Sequence, residues 1–102
     1  MADVQNIIAQ RVKANTPSIL SAATALAENR ERGAFQIQNL GTNPLFVLLG
    51  DGASTSVFHQ VLKGGTGNDD GLGGSFSMST GVVYTGIITI AGTSPRYSVL
   101  EI

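Results

Sequence analysis

Apolar residues in this chain follow two periods, and the helical one comes first. Val4, Ile7, Ile8 and Val12 recur at the spacing of one helical stripe. Asp3 stands where an N-cap belongs and suits the positive end of a helix dipole. Arg11 and Lys13 stand near the other end, where cations are favoured. Pro17 stops the pattern and pushes Thr16 towards extended geometry. The spacing predicts a short helical arm over residues 1–16. A helix of about ten residues is marginal by itself, so its stripe needs a partner, either the chain's own sheet or a neighbouring subunit. Val4, Ile7, Ile8 and Val12 are therefore the candidate partner-binding residues.

Beyond the arm the period falls to two. Ser18 to Glu28 has both signals: its alanines favour helix, while Ile19, Leu20 and the Ser/Thr content allow a strand. It is assigned as a strand because everything after it reads as β. The charged run Glu28 to Gly33 reads as an exposed turn. Phe35 and Ile37 alternate with Gln36 and Gln38, which predicts a half-buried strand. Gly41 to Pro44 is a tight turn, and Leu45 to Leu49 is apolar on both faces, as in a central strand. Further strands are expected over Val57 to Lys63, Ser75 to Ser79, Val82 to Ile90 and Arg96 to Ile102, with Gly86 as a bulge. Between them, Gly64 to Gly74 carries six glycines and is expected to be a mobile loop. Short strands with turns every eight to twelve residues or so predict an all-β domain over residues 17–102. The form expected is an antiparallel β-sandwich, jelly-roll or immunoglobulin-like, of six to eight strands. Phe35, Ile37, Val47, Leu49, Ile88 and Val99 are its candidate core.

Charge changes this picture. Only 13% of the 102 residues are charged, where a typical domain has about 25%. Asp51 is the one charged residue between Gly33 and Leu62, and none occurs from Gly71 to Pro95. A surface of Ser, Thr, Gly, Asn and apolar residues fits a chain packed against other subunits. The net charge of −1 argues against nucleic-acid binding by phosphate neutralisation. No cysteine is present, so disulfides and thiolate metal sites are excluded. No apolar run approaches the ~18 residues of a membrane span, and the N-terminus lacks the form of a signal peptide.

Candidate chemistry is sparse. His59 has no nucleophile or orienting carboxylate beside it in sequence, and it reads as a packed or interface histidine. Gly64-Gly65-Thr66-Gly67-Asn68-Asp69 matches the start of a glycine-rich calcium repeat, but one copy supplies only half of a site built between stacked turns. Gly50-Asp51-Gly52 is followed by a strand pattern, not by the helix a dinucleotide fingerprint needs. Asp51 with Ser54 or Ser56 makes no triad without a histidine held between them. No catalytic residue, cofactor or metal is therefore expected. Phe35, Phe46, Phe58 and Phe76 lie in apolar stretches and read as core, while exposed tyrosines at positions 84 and 97 would keep a carbohydrate-binding module in play.

Two stretches, Phe35 to Val47 and Tyr84-Thr85-Gly86-Ile87-Ile88 with Ser94 to Val99, resemble small virion proteins of tailed bacteriophages. These often carry a basic residue, a strand pair of the form IQN-G-NP-V-L and a late YTG. The resemblance covers residues 32–102 and leaves the arm outside it. It implies a compact β-sandwich attached to capsids or tails. The function it implies is that of a head decoration or cement protein on the virion surface, assembled in the host cytoplasm. Its partners would be the major capsid protein or other virion subunits and further copies of itself, with a trimer favoured, and neither nucleic acid nor membrane. The alternatives are a tail, neck or fibre component, or a carbohydrate-binding module.

Overall fold

The computed structural model describes the backbone of residues 8–10, and residues 22–79 and 81–102. Among the described residues there are eight strands: β1 (Ile8–Gln10), β2 (Ala22–Leu26), β3 (Phe35–Asn39), β4 (Leu45–Leu48), β5 (Gln60–Leu62), β6 (Ser75–Met78), β7 (Ile88–Gly92) and β8 (Tyr97–Glu101). They form two antiparallel sheets, in the orders β1-β8-β3-β6 and β2-β7-β4-β5. The pairing is nested: first strand with last, second with seventh, third with sixth, fourth with fifth. The all-β expectation holds.

The expected helix does not form at Ile8–Gln10. These residues run as a strand against β8, with Ile8 opposite Glu101 and Gln10 opposite Val99. A ten-residue helix has little stability of its own, whereas the β8 edge offers a ladder of backbone partners. Val4, Ile7 and Val12 lie outside the described residues. Among those described there is no helix, hence none long and apolar enough to cross a membrane.

Alternation on both sheets produces one shared core. Phe35, Ile37, Tyr97 and Val99 of the first sheet meet Leu26, Leu45, Val47, Leu62, Ile88 and Ile90 of the second. Leu49 is only partly buried and packs against this cluster. Of the ambiguous stretch Ser18 to Glu28, residues 18–21 lie outside the described residues, and Ala22–Leu26 forms β2, an edge strand against β7 with a register shift between Thr24 and Leu26. Every residue of β7 is buried. Its outward Thr89 is covered by the turn after β4: the Thr89 hydroxyl donates to the Gly50 carbonyl at 2.7 Å and accepts from Ala53 N–H at 3.1 Å.

Two strands are shorter than the pattern predicts. Val57–His59 is not strand, because the Ser54 hydroxyl accepts the N–H groups of Ser56 and Val57 and holds a turn there. Val82–Ile87 is not strand either, so Gly86 is no bulge. The carbonyls of Tyr84, Thr85 and Gly86 are taken by Arg32 and Asn29, which leaves no ladder for that stretch.

Candidate interaction surface

Arg32 lies in a charged run, yet its side chain is fully buried. Its Nε donates to Glu101 Oε2 at 2.7 Å, Nη1 to the carbonyls of Tyr84 (2.9 Å) and Gly86 (3.0 Å), and Nη2 to the Ala27 carbonyl (2.7 Å). The guanidinium also sits 5.8 Å from the centre of the Phe35 ring. One residue thus ties the end of β2, the end of β8 and the segment before β7. The expected exposed turn is therefore anchored by a buried cation.

Asn39 does the same at the other end of β3. Its Nδ2 donates to the carbonyls of Asn43 (2.8 Å), Leu62 (3.0 Å) and Lys63 (3.2 Å), while Oδ1 accepts Gly41 N–H at 2.9 Å. These contacts account for much of the pattern that carries the resemblance. Arg32 holds the carbonyls of Tyr84 and Gly86, and Asn39 holds Gly41 and Asn43 of the turn that follows. Arg32 and Asn39 are internal clamps, both buried.

The Gly64–Gly74 loop is tied down where mobility was expected. Gly65 N–H donates to Gly41 O, Asp69 N–H to Leu40 O and Gly74 N–H to Lys63 O. A Cβ on Gly64 or Gly73 would overlap the carbonyl oxygen of Thr42 or Asn39, so both glycines serve close backbone approach. Asp70 accepts the N–H groups of Thr66, Gly67 and Leu72 and the Thr66 hydroxyl, at 2.8–2.9 Å. Those bonds hold its carboxyl down at about 2, led by the one from Leu72. Asp69 accepts from Arg96 Nε at 2.8 Å. Both carboxylates that a calcium repeat would offer are engaged in bracing the loop. Among the described residues no cluster of three or more His, Asp or Glu could hold a metal ion.

His59 is exposed, contrary to a packed role, and its Nδ1 accepts Leu49 N–H at 3.1 Å. That partner is a backbone amide, so the bond supplies no nucleophile. Tyr97 is fully buried and Tyr84 packs against the core, so neither offers a platform for a sugar ring. Phe35 is buried and Phe76 meets it edge-on at 5.7 Å.

Phe46 and Phe58 depart from the core expectation. Phe46 points to the outer side of the second sheet, and the Ser54 turn brings Phe58 against it with ring centres 5.0 Å apart. By register Phe46 stands between Ala91 of β7 and Val61 of β5. Phe58 is 39% exposed, Val61 47% and Val57 51%. These residues form a continuous apolar patch with no charge inside it. The outer side of the first sheet differs: there Gln36 faces Ser77, and Gln38 lies between Ser75 and Ser98. Sequence alternation could not separate the two, since Val57 and Phe58 look like strand residues until the turn is seen. The candidate residue Ile8 belongs to the first sheet, and the structure does not bring it to this patch.

No protein-family model, curated protein or solved structure matches this chain.

Proposed function

We propose that this chain is a structural protein of a tailed-phage virion, a decoration or cement protein on the head that acts as an oligomer. The observation that carries this reading is the strand order. Orders β1-β8-β3-β6 and β2-β7-β4-β5, with nested pairing and a shared core, support a jelly-roll sandwich over an immunoglobulin-like one. Jelly rolls serve in viral capsids and in lectins, and a fold by itself does not choose between them. Two features favour the capsid. The outer faces of both sheets carry little charge, one with an apolar patch around Phe46 and one with Gln36 and Gln38 among serines, which suits packing against fixed neighbours. The tyrosines a lectin would use for stacking are turned inward.

The test is to express the chain with an epitope tag in cells induced to release particles, then to purify the particles on a gradient and label the tag for electron microscopy. Label on heads supports the reading. Label on tails, necks or fibres replaces the head assignment with the tail alternative. A tag absent from purified particles overturns the virion reading.

A further inference from the structure

We propose that Asp51–Gly52 is a modification site, where the aspartate isomerises to isoaspartate without an enzyme, and that the fold protects the chain's other Asp–Gly step, Asp70–Gly71. The proposal is independent of the virion reading and is tested on the purified chain.

An Asp–Gly step favours this chemistry because glycine has no side chain to hinder attack by its own nitrogen. The Gly52 nitrogen attacks Asp51 Cγ. An N–Cγ bond forms, the Cγ–OH bond breaks, and the hydroxyl leaves with the amide proton as water. The product is a succinimide ring. Water then adds to one of its two carbonyl carbons. Opening at the backbone carbonyl breaks the bond from that carbon to nitrogen. The chain now runs through Cγ, and the α-carboxylate becomes a side group. The water released first is taken up last, so the mass is unchanged.

The two steps are alike in exposure and in backbone. All four residues are exposed. Both glycines have positive φ, 95° at Gly52 and 81° at Gly71, with open space where a Cβ would stand. The carboxylates differ. Asp70 accepts three backbone N–H groups and the Thr66 hydroxyl. Those bonds fix its position and hold its pKa down at about 2, which depletes the acid form whose hydroxyl can leave. The Asp51 carboxylate has no hydrogen bond or ion pair among the described residues. It borders a cavity of about 200 Å³ lined also by Ala22, Ala23 and Thr24 of β2. These side chains are small, so Cγ has room to swing towards the Gly52 nitrogen.

The turn is also where the change registers. The Gly50 carbonyl and the Ala53 N–H flank this step, and both bond the Thr89 hydroxyl. Isomerisation puts an extra backbone carbon between them, which lengthens the turn and strains its clasp on β7.

The test is to age the purified chain for weeks near neutral pH at body temperature. Isoaspartate is then located by peptide mapping with electron-transfer mass spectrometry, and the new α-carboxylates are counted by methylation with a protein-isoaspartate methyltransferase. Position 51 should convert at least about tenfold faster than position 70, because Asp70 must first break several charge-assisted hydrogen bonds. In urea strong enough to unfold the chain, the two rates should be comparable. Asp51→Glu has a side chain too long to close a succinimide and should remove the signal at 51. Because the side chain is exposed, that variant should fold normally. The isomerised chain, separated by chromatography, should melt below the fresh chain. No isoaspartate at 51, equal conversion at 51 and 70 in the folded chain, or a preference for 51 that persists unchanged in urea overturns the proposal. An isomerised chain that melts together with the fresh one overturns the claim about the turn.

Discussion

Arg32 and Glu101, 69 positions apart in the chain, form a buried ion pair at 2.7 Å. Removing one partner of such a pair leaves a buried charge uncompensated, at a loss of about 3–5 kcal/mol. Arg32→Met and Glu101→Gln should each destabilise the fold by about that much in urea unfolding. The double variant should lose less than the two single losses added together. A loss below about 1 kcal/mol for Arg32→Met would mean that the guanidinium is not held inside.

Asn39→Ala should remove at least about 2 kcal/mol, because each buried polar group left without its partner loses about 1–3 kcal/mol. Asn39→Asp should be worse at neutral pH. A carboxylate can still accept Gly41 N–H, but it cannot donate to the carbonyls of Asn43, Leu62 and Lys63. Acid that protonates the new carboxyl should narrow the gap between the two variants, as measured by thermal melts at two pH values.

Asp70 makes the loop sensitive to acid. Its folded-state value of about 2 lies below the ordinary 3.8, so the unfolded chain takes up the proton first. Its contribution is full above the ordinary value and is lost as pH falls towards about 2. The difference in melting temperature between the wild type and Asp70→Asn should therefore shrink across that window. Calcium should leave the wild-type melting temperature unchanged. A clear calcium-dependent rise would restore the metal reading of this loop.

The Tyr97 hydroxyl is buried and has no hydrogen-bond partner among the described residues. Burial also pushes its pKa upward. Leaving a hydroxyl dry and unpaired is unfavourable by about 1–3 kcal/mol on mutational scales. Tyr97→Phe keeps the ring and removes that burden, so the variant should be as stable as the wild type or more so. A loss above about 1 kcal/mol would show that the hydroxyl is bonded.

The parts of this fold that local alternation controls were legible in the sequence. Phe35, Ile37, Val47, Ile88 and Val99 read correctly as core because side chains alternate between a buried and an outer face. Leu49, by contrast, is only partly buried, and Tyr97, weighed as an exposed tyrosine, is fully buried. What escaped was set by distant residues. Ile8–Gln10 has apolar neighbours at helical spacing, and only β8, some ninety positions later, makes it a strand. Arg32 has the sequence surroundings of a surface residue, and its burial depends on carbonyls near position 85 and on Glu101. Phe58 alternates like a core residue, but a serine hydroxyl four positions earlier turns the chain outward. The glycines of the long loop suggested entropy; they mark places where one backbone lies against another. The exposed apolar patch around Phe46 had no sequence signal beyond missing charge, because its residues converge from two strands and a turn.

The nested pairing also has a consequence for how the chain folds. β8 is the last of the eight described strands to be made, yet it lies between β1 and β3, so the first sheet stays divided until β8 emerges. Only the innermost pair, β4 with β5, can close over a short loop. Each outer pair must then span a longer stretch of chain, which places this topology among the slow folders, in the range of about milliseconds to seconds. During that delay the uncharged edges of β3 and β4 are open to other chains. The same scarcity of charge that suits the finished surface to assembly leaves the half-made protein exposed to aggregation.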